Sequence, residues 1–301
     1  MPRAVLDIGS NTIRLLVADV HGNDLAPLLD DSDFVRLGRD VDRTNELQPD
    51  RVEAAVDSIR RLRDQAASHG VDRVLAVATS AVRDARNGPD FVMRVRDETG
   101  VEVEIISGER EADLTFRGAT LGVPAEEGVL VTDLGGGSAE LIYADCRPDS
   151  TAAIRWRTSE KLGSGRLTER FMHHDPPARD EIEALEAHVQ EVLRGLAPAR
   201  PRSLIFTGGT ATHLALVAGS QDTVTPLSRD ELRRVVDTVV TRSAAQLVEE
   251  YRFRPERAQV LAAGAATLEA IARFYRPERM LITRRGIREG VLLDAADRHQ
   301  A

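Results

Sequence analysis

Two aspartates about a domain's length apart, Asp7 and Asp133, each close an apolar run and lead into a glycine turn rich in hydroxyl and amide groups. The first stretch reads Ala4-Val-Leu-Asp7-Ile-Gly9-Ser-Asn-Thr12. The second reads Val129-Leu-Val-Thr-Asp133-Leu-Gly135-Gly-Gly-Ser138. A third turn, Thr207-Gly-Gly-Thr210, follows the short apolar run Leu204 to Phe206. Glycine turns let consecutive backbone amides approach an anion without a side-chain cation. One such turn is usually only structural. Three of them, each with a hydroxyl residue, point to phosphate. Two opposed aspartates suit Mg2+ held partly through waters and phosphate oxygens, although either alone reads equally well as a turn residue bonding its own backbone. Glu140 stands two residues beyond Ser138, on the same side of an outgoing strand by two-residue alternation. A lysine followed by Ser or Thr is missing from these turns, which excludes a Walker loop. The first turn enters a strand rather than a helix, which disfavours a dinucleotide fold.

The elements that position these turns follow from periodicity. Each aspartate hairpin reads as strand, turn, strand. Between the hairpins the pattern predicts helices over 52–67 and 89–99, strands over 74–78 and 101–106, and a helix opening at 109–115. Beyond the second hairpin it predicts helices over 181–196, 230–250 and 260–274, strands over 204–206 and 280–283, and a final helix. The duplicated hairpin implies two related α/β halves facing each other, with domains of 1–118 and 119–301 and the last helix, 288–301, packing back on the first.

A 42% hydrophobic fraction with 30% charged residues is a globular balance without a bilayer-length apolar run, so no membrane partner is expected. The formal charge of -9 argues against a general nucleic-acid binder. It does not exclude a polyanion, which responds to local charge, and every basic side chain except Lys161 is an arginine. The lone Cys146 and the early first strand fit a cytoplasmic location. Adjacent His173 and His174 read as surface loop, and Asp30-Asp31-Ser32-Asp33 reads as a solvated acidic loop.

Six segments in order resemble the exopolyphosphatase and guanosine pentaphosphate phosphohydrolase (Ppx/GppA) family: Asp7–Thr12, Thr79–Asn87, Ser107–Ala112, Asp133–Glu140, Thr207–Thr210 and Gly286-Ile-Arg-Glu-Gly290. The resemblance runs from about residue 4 to 293. It implies two ribonuclease H-like domains of the actin, sugar kinase and Hsp70 superfamily with an interdomain cleft, in a short form without the C-terminal HD-type domain. The implied activity is hydrolysis of the terminal phosphoanhydride of inorganic polyphosphate. Guanosine pentaphosphate or another nucleotide is the alternative substrate, a non-catalytic sensor is the alternative class, and a homodimer is compatible with the sequence.

The resemblance also assigns roles. Glu111 becomes the catalytic carboxylate that activates water, although its place in a helix's first turn is equally explained by the helix dipole. Asp7, Asp133 and Glu140 become the Mg2+ and water-positioning acids. Ser10, Asn11, Thr12, Gly135, Gly136, Gly137, Ser138, Gly208, Gly209 and Thr210 become phosphate contacts. Arg83 becomes a phosphate ligand where residue chemistry alone favours an ion pair with Asp84. Arg166 resembles a family segment that extends the anion path. Arg110 stands where the family often has an acid. Gly286 to Gly290 reads as a structural turn before the last helix.

Overall fold

The computed structural model describes residues 2–22, 24–123, 126–146 and 152–298. In chain order the elements are β1 (Pro2–Ile8), β2 (Thr12–His21), β3 (Asp24–Phe34), α1 (Val41–Thr44), α2 (Pro49–Ser68), β4 (Val74–Ala78), α3 (Ser80–Asp84), α4 (Gly88–Thr99), β5 (Val103–Ile105) and α5 (Gly108–Ala119). There follow β6 (Glu126–Leu134), β7 (Ala139–Cys146), β8 (Ala152–Glu160), α6 (Ser164–Phe171), α7 (Arg179–Arg194), β9 (Ser203–Thr207) and α8 (Gly208–Val217). The chain ends its described course with β10 (Val224–Pro226), α9 (Arg229–Val240), α10 (Ala244–Tyr251), α11 (Pro255–Tyr275), β11 (Arg279–Thr283) and α12 (Ile287–Arg298). Two compact units result, Met1–Leu121 with Gly286–Ala301, and Gly122–Arg285.

In the first unit the sheet order is β3-β2-β1-β4-β5. The first three strands form an antiparallel meander, and β4 and β5 run parallel to β1. Strand β1 is central and covered on both faces, which is why its sequence is almost wholly apolar. Ala4, Leu6 and Ile8 pack with α2 and α4 residues such as Ile59, Leu62 and Val95. Val5 faces the opposite layer with Leu114 of α5 and Val291 and Leu292 of α12. Alternation therefore puts Asp7 on the α5 and α12 side of the sheet. Helix α2 starts at Pro49 and buries Val52, Ala55, Val56, Ile59, Leu62 and Ala66, one stripe at helical spacing.

Helices α5 and α12 approach closely at glycines. A Cβ on Gly290 would overlap the carbonyl of Leu114, and one on Gly118 would overlap that of Gly286. Only glycine allows the two backbones to meet there. Gly290 is thus a helix-packing residue inside α12, not part of a turn.

The second unit repeats the order: β8-β7-β6-β9-β11 matches the first sheet strand for strand, with β10 added at the far edge. Strands β6, β7 and β8 form the antiparallel meander, and β9 and β11 run parallel to β6. This shared order makes both units ribonuclease H-like. One large core joins the sheet to residues of α6 through α11. Helix α11 is buried along Val260 to Leu268 by small side chains, which explains its lack of a polar face.

The helix over 230–250 and the acidic loop are not as expected. The helix expected over 230–250 is two helices, because Ser243 caps a new start: its Oγ accepts from Gln246 N and Gln246 returns a bond to Ser243 N. The acidic run Asp30 to Asp33 lies in β3, not in a loop. It is neutralised there by arginines, Asp30 by Arg288 and Asp31 and Asp33 by Arg61. The paired histidines lie in an exposed loop, as expected, and are tied to the start of α7, since Glu181 accepts from His173 N and from the His174 ring. Among the described residues no helix is long and apolar enough to cross a membrane.

Candidate active site

Glu111 lies in the first turn of α5, whose N-cap Ser107 accepts from Arg110 N at 3.2 Å. The carboxylate is 7% exposed, and a buried charge of this kind needs a partner. Arg83 of α3 supplies it, donating from Nη1 to Glu111 Oε2 at 2.8 Å and to the Ile106 carbonyl at 3.1 Å. The pairing with Asp84 that residue chemistry favoured is reduced to a long 3.9 Å approach of Nε. The guanidinium therefore orients Glu111 with one nitrogen, while among the described residues its Nη2 makes no hydrogen bond. An edge of the fork remains for an anion.

Arg110, the neighbour of Glu111, pairs with Asp294 of α12. Arg117 pairs with Asp297 one helical repeat on. The basic residue at an often acidic position thus works on the rear of α5, tying it to α12.

The turn between β1 and β2 closes with Gly9 N on Thr12 O at 3.1 Å. The carbonyl of Ser10 accepts from Gly38 N at 2.8 Å, and that of Asn11 accepts from Val35 N and Arg36 N at 2.9 Å. Ser10 Oγ meets Ser80 Oγ at 2.8 Å, a buried contact with the start of α3. A trans peptide carries its N–H opposite its C=O, so the amides of Asn11 and Thr12 face away from these clamps. Asn11 Nδ2 is buried without a partner among the described residues. Such a donor is costly unless a ligand takes it.

The turn between β6 and β7 repeats the device. Gly135 N bonds Ser138 O at 3.0 Å. The carbonyls of Gly135 and Gly136 accept from Ser164 N at 2.9 Å, Gly165 N at 2.9 Å and Arg166 N at 3.1 Å, and the Gly137 carbonyl accepts from Arg166 Nε at 2.7 Å. Gly163 permits this approach, since a Cβ there would overlap the backbone of Gly136 and Gly137. Three consecutive carbonyls face the start of α6, so the amides of Gly136, Gly137 and Ser138 turn the other way. Among the described residues these amides donate to no protein acceptor. Consecutive amides arranged in this way suit an anion.

Asp133 and Glu140 are directly opposed across β6 and β7, which places both carboxylates on one face. Glu140 is 1% exposed and accepts from Ser159 Oγ at 2.7 Å. Like charges directly opposite each other destabilise a sheet, and a divalent cation reverses the sign of that interaction. Asp133 also reaches the third turn, where a Cβ on Gly208 (φ +90°) would collide with its Oδ1. Gly208 and Gly209 then open α8, and Thr210 Oγ1 is buried without a partner among the described residues.

The corresponding pair in the first unit is Asp7 opposite Arg14. Burial raises the Asp7 pKa, while Arg14 and Arg288 pull it down and Glu289 pushes it up. Two cations beside Asp7 leave it less suited than Asp133 and Glu140 to hold a further cation. No group of three His, Cys, Asp or Glu side chains among the described residues forms a complete protein cage for a metal. Two carboxylates completed by waters and phosphate oxygens fit Mg2+, which keeps much of its hydration.

The sequence did not reveal Ser80 and Ser159 as partners of Ser10 and Glu140, and it marked Arg166 for the anion path where the structure shows Gly163 to Arg166 packed behind the second turn.

A duplicated ribonuclease H-like unit bearing amide-lined turns and a buried carboxylate–arginine pair defines a phosphate-handling protein. The chain belongs to the Ppx/GppA phosphatase family, whose sequence model matches residues 16–299. It is 31% identical to exopolyphosphatase 1 of Mycobacterium tuberculosis, over 99% of this chain and 89% of that protein. It is also 31% identical to exopolyphosphatase 2 of the same organism, over 97% and 98%. Among solved structures, an exopolyphosphatase from Cytophaga hutchinsonii superposes with a TM-score of 0.88 at 26% identity, covering 99% of this chain and 98% of that one. The Aquifex aeolicus Ppx/GppA family member superposes with a TM-score of 0.81 at 28% identity, covering 100% and 99%.

Proposed function

We propose that this protein is an exopolyphosphatase that releases orthophosphate from the end of inorganic polyphosphate. The observation that carries the reading is Glu111: a buried carboxylate held at 2.8 Å by Arg83, in a chain similar to exopolyphosphatases over almost its whole length. Phosphoanhydride hydrolysis needs an in-line water and neutralisation of the departing phosphate, with little covalent chemistry from the protein.

Glu111 accepts the proton of the attacking water as general base. Arg83 fixes the orientation of Glu111 and offers its remaining edge to a phosphate oxygen. The amides of Gly136, Gly137 and Ser138 stabilise charge on the phosphoryl oxygens. Ser10, Asn11 and Thr12 in the first unit and Gly208, Gly209 and Thr210 in the second supply further phosphate contacts. Asp133 and Glu140 would hold Mg2+, with Asp7 as a water-positioning acid. The ion supplies charge neutralisation of phosphate oxygens when bound. We place the enzyme in the cytoplasm, without nucleic-acid or membrane partners.

Glu111→Gln tests the assignment. Polyphosphate binding should stay close to wild type while turnover falls at least ~100-fold, the scale of a lost general base. Retained turnover removes Glu111 from its role. Phosphate release from long polyphosphate, short polyphosphate, guanosine pentaphosphate and ATP, with and without Mg2+, separates the substrates. A preference for guanosine pentaphosphate would replace the polyphosphate reading, and no release from any of them would leave a sensor.

A further inference from the structure

Of the three carbonyls clamped behind the second turn, two are held by backbone amides and one by a charged side chain. The Gly137 carbonyl accepts from Arg166 Nε at 2.7 Å. The matching turn of the first unit has its carbonyls held by the amides of Val35, Arg36 and Gly38. A guanidinium clamp is therefore particular to residues 135–138.

A charge-assisted bond to a carbonyl is stronger than a neutral one. It also polarises the peptide, so the N–H across that same unit becomes a better donor. That N–H belongs to Ser138. A glycine-rich turn has little steric barrier to rotating a peptide plane, and rotation of the Gly137–Ser138 plane would withdraw this amide from the anion site. Arg166 sits on a rigid base suited to preventing it. It occupies the first turn of α6, whose Leu167 is fully buried and whose Thr168 Oγ1 bonds the Ser164 carbonyl at 2.7 Å. Burial lowers the Arg166 pKa, yet a guanidinium stays protonated in proteins.

We propose that Arg166 is a positioning residue: by binding the Gly137 carbonyl it fixes and polarises the Ser138 amide towards the substrate phosphoryl group. The inference rests on the exopolyphosphatase reading for its substrate, though not for its geometry. In this role Arg166 acts through the loop, by way of its Nε contact with the Gly137 carbonyl.

Arg166→Met keeps the length of the stem and removes the donor, and Arg166→Lys keeps a charge with different geometry. For each, kcat and KM on long polyphosphate, the thermal midpoint, and the 1H–15N signals of Gly137 and Ser138 during titration with inorganic phosphate are measured. The Met variant should lose about 100-fold in kcat, as for one preorganised donor, with KM and the thermal midpoint close to wild type. The Lys variant should fall between the two. Phosphate should shift the Ser138 amide signal in the wild type and much less in the Met variant. If the Met variant does not fold, the intermediate kcat and weakened Ser138 response of the Lys variant carry the test. An unchanged kcat, equal Ser138 shifts in wild type and variants, or a rise in KM alone overturns the proposal. A wild type that releases no phosphate from polyphosphate defeats the exopolyphosphatase reading by itself, and the phosphate titration still decides the role of Arg166.

Discussion

Opposed positions in the two hairpins carry different charges: Asp7 faces Arg14, and Asp133 faces Glu140. On the proposed function, this single difference favours the second unit for the metal ion. Asp133→Asn or Glu140→Gln should raise the Mg2+ concentration for half-maximal turnover at least about tenfold, the low end of losses on perturbing a metal site. Asp7→Asn should shift it less. A magnesium titration of phosphate release compares the three, and an Asp7 effect exceeding the other two would reverse the assignment. The candidate acids were legible at this scale because strand-end aspartates before glycine turns carry a local signature. Their partners were not. Arg83 sits 28 positions from Glu111 and Arg166 clamps a loop 29 positions away, and one-dimensional patterns hold no record of such meetings.

Between elements, the close crossing of α5 and α12 governs where Glu111 stands. Gly290→Ala should cost about 2 to 3 kcal/mol through overpacking and reduce turnover as α5 shifts, which thermal unfolding and a phosphate-release assay would report together. Undiminished stability would contradict the crossing. A second test concerns the start of α7. Burial pushes the Glu181 carboxyl up, but bonds from Ala178 N, the His174 ring and His173 N outweigh it and hold the pKa down at about 2. A depressed folded pKa means that this stabilisation is complete above the unfolded value of 4.5 and fades as pH falls towards about 2. Glu181→Gln should flatten the loss of stability across that window, as read by thermal midpoints at stepped pH. Helix and strand types were legible from apolar spacing, as with the α2 stripe and the run of β4. The break between α9 and α10 was hidden, because a Ser243 cap is a three-residue feature inside a continuous apolar period. Strand β3 was hidden too, since its acids resemble loop until Arg61 and Arg288 neutralise them.

At the level of the whole molecule, the repeated hairpin announced the duplication, and both sheets share one strand order. The connectivity of the first unit was less plain, because it is completed by a segment that follows the entire second unit. Until α12 is present, Val5, Leu16, Val77 and Leu114 lack their cover of Ile287, Val291, Leu292 and Leu293, and Arg110 lacks Asp294. On a ribosome the whole second unit is made between the two pieces of the first. The second unit can mature while the first is still waiting. Synthesis thus builds in a delay: the helix that carries Glu111 gains the support of α12 only after the second unit has been made, and a chain broken after Arg285 would keep its glycine turns but lose the brace behind the carboxylate proposed as general base.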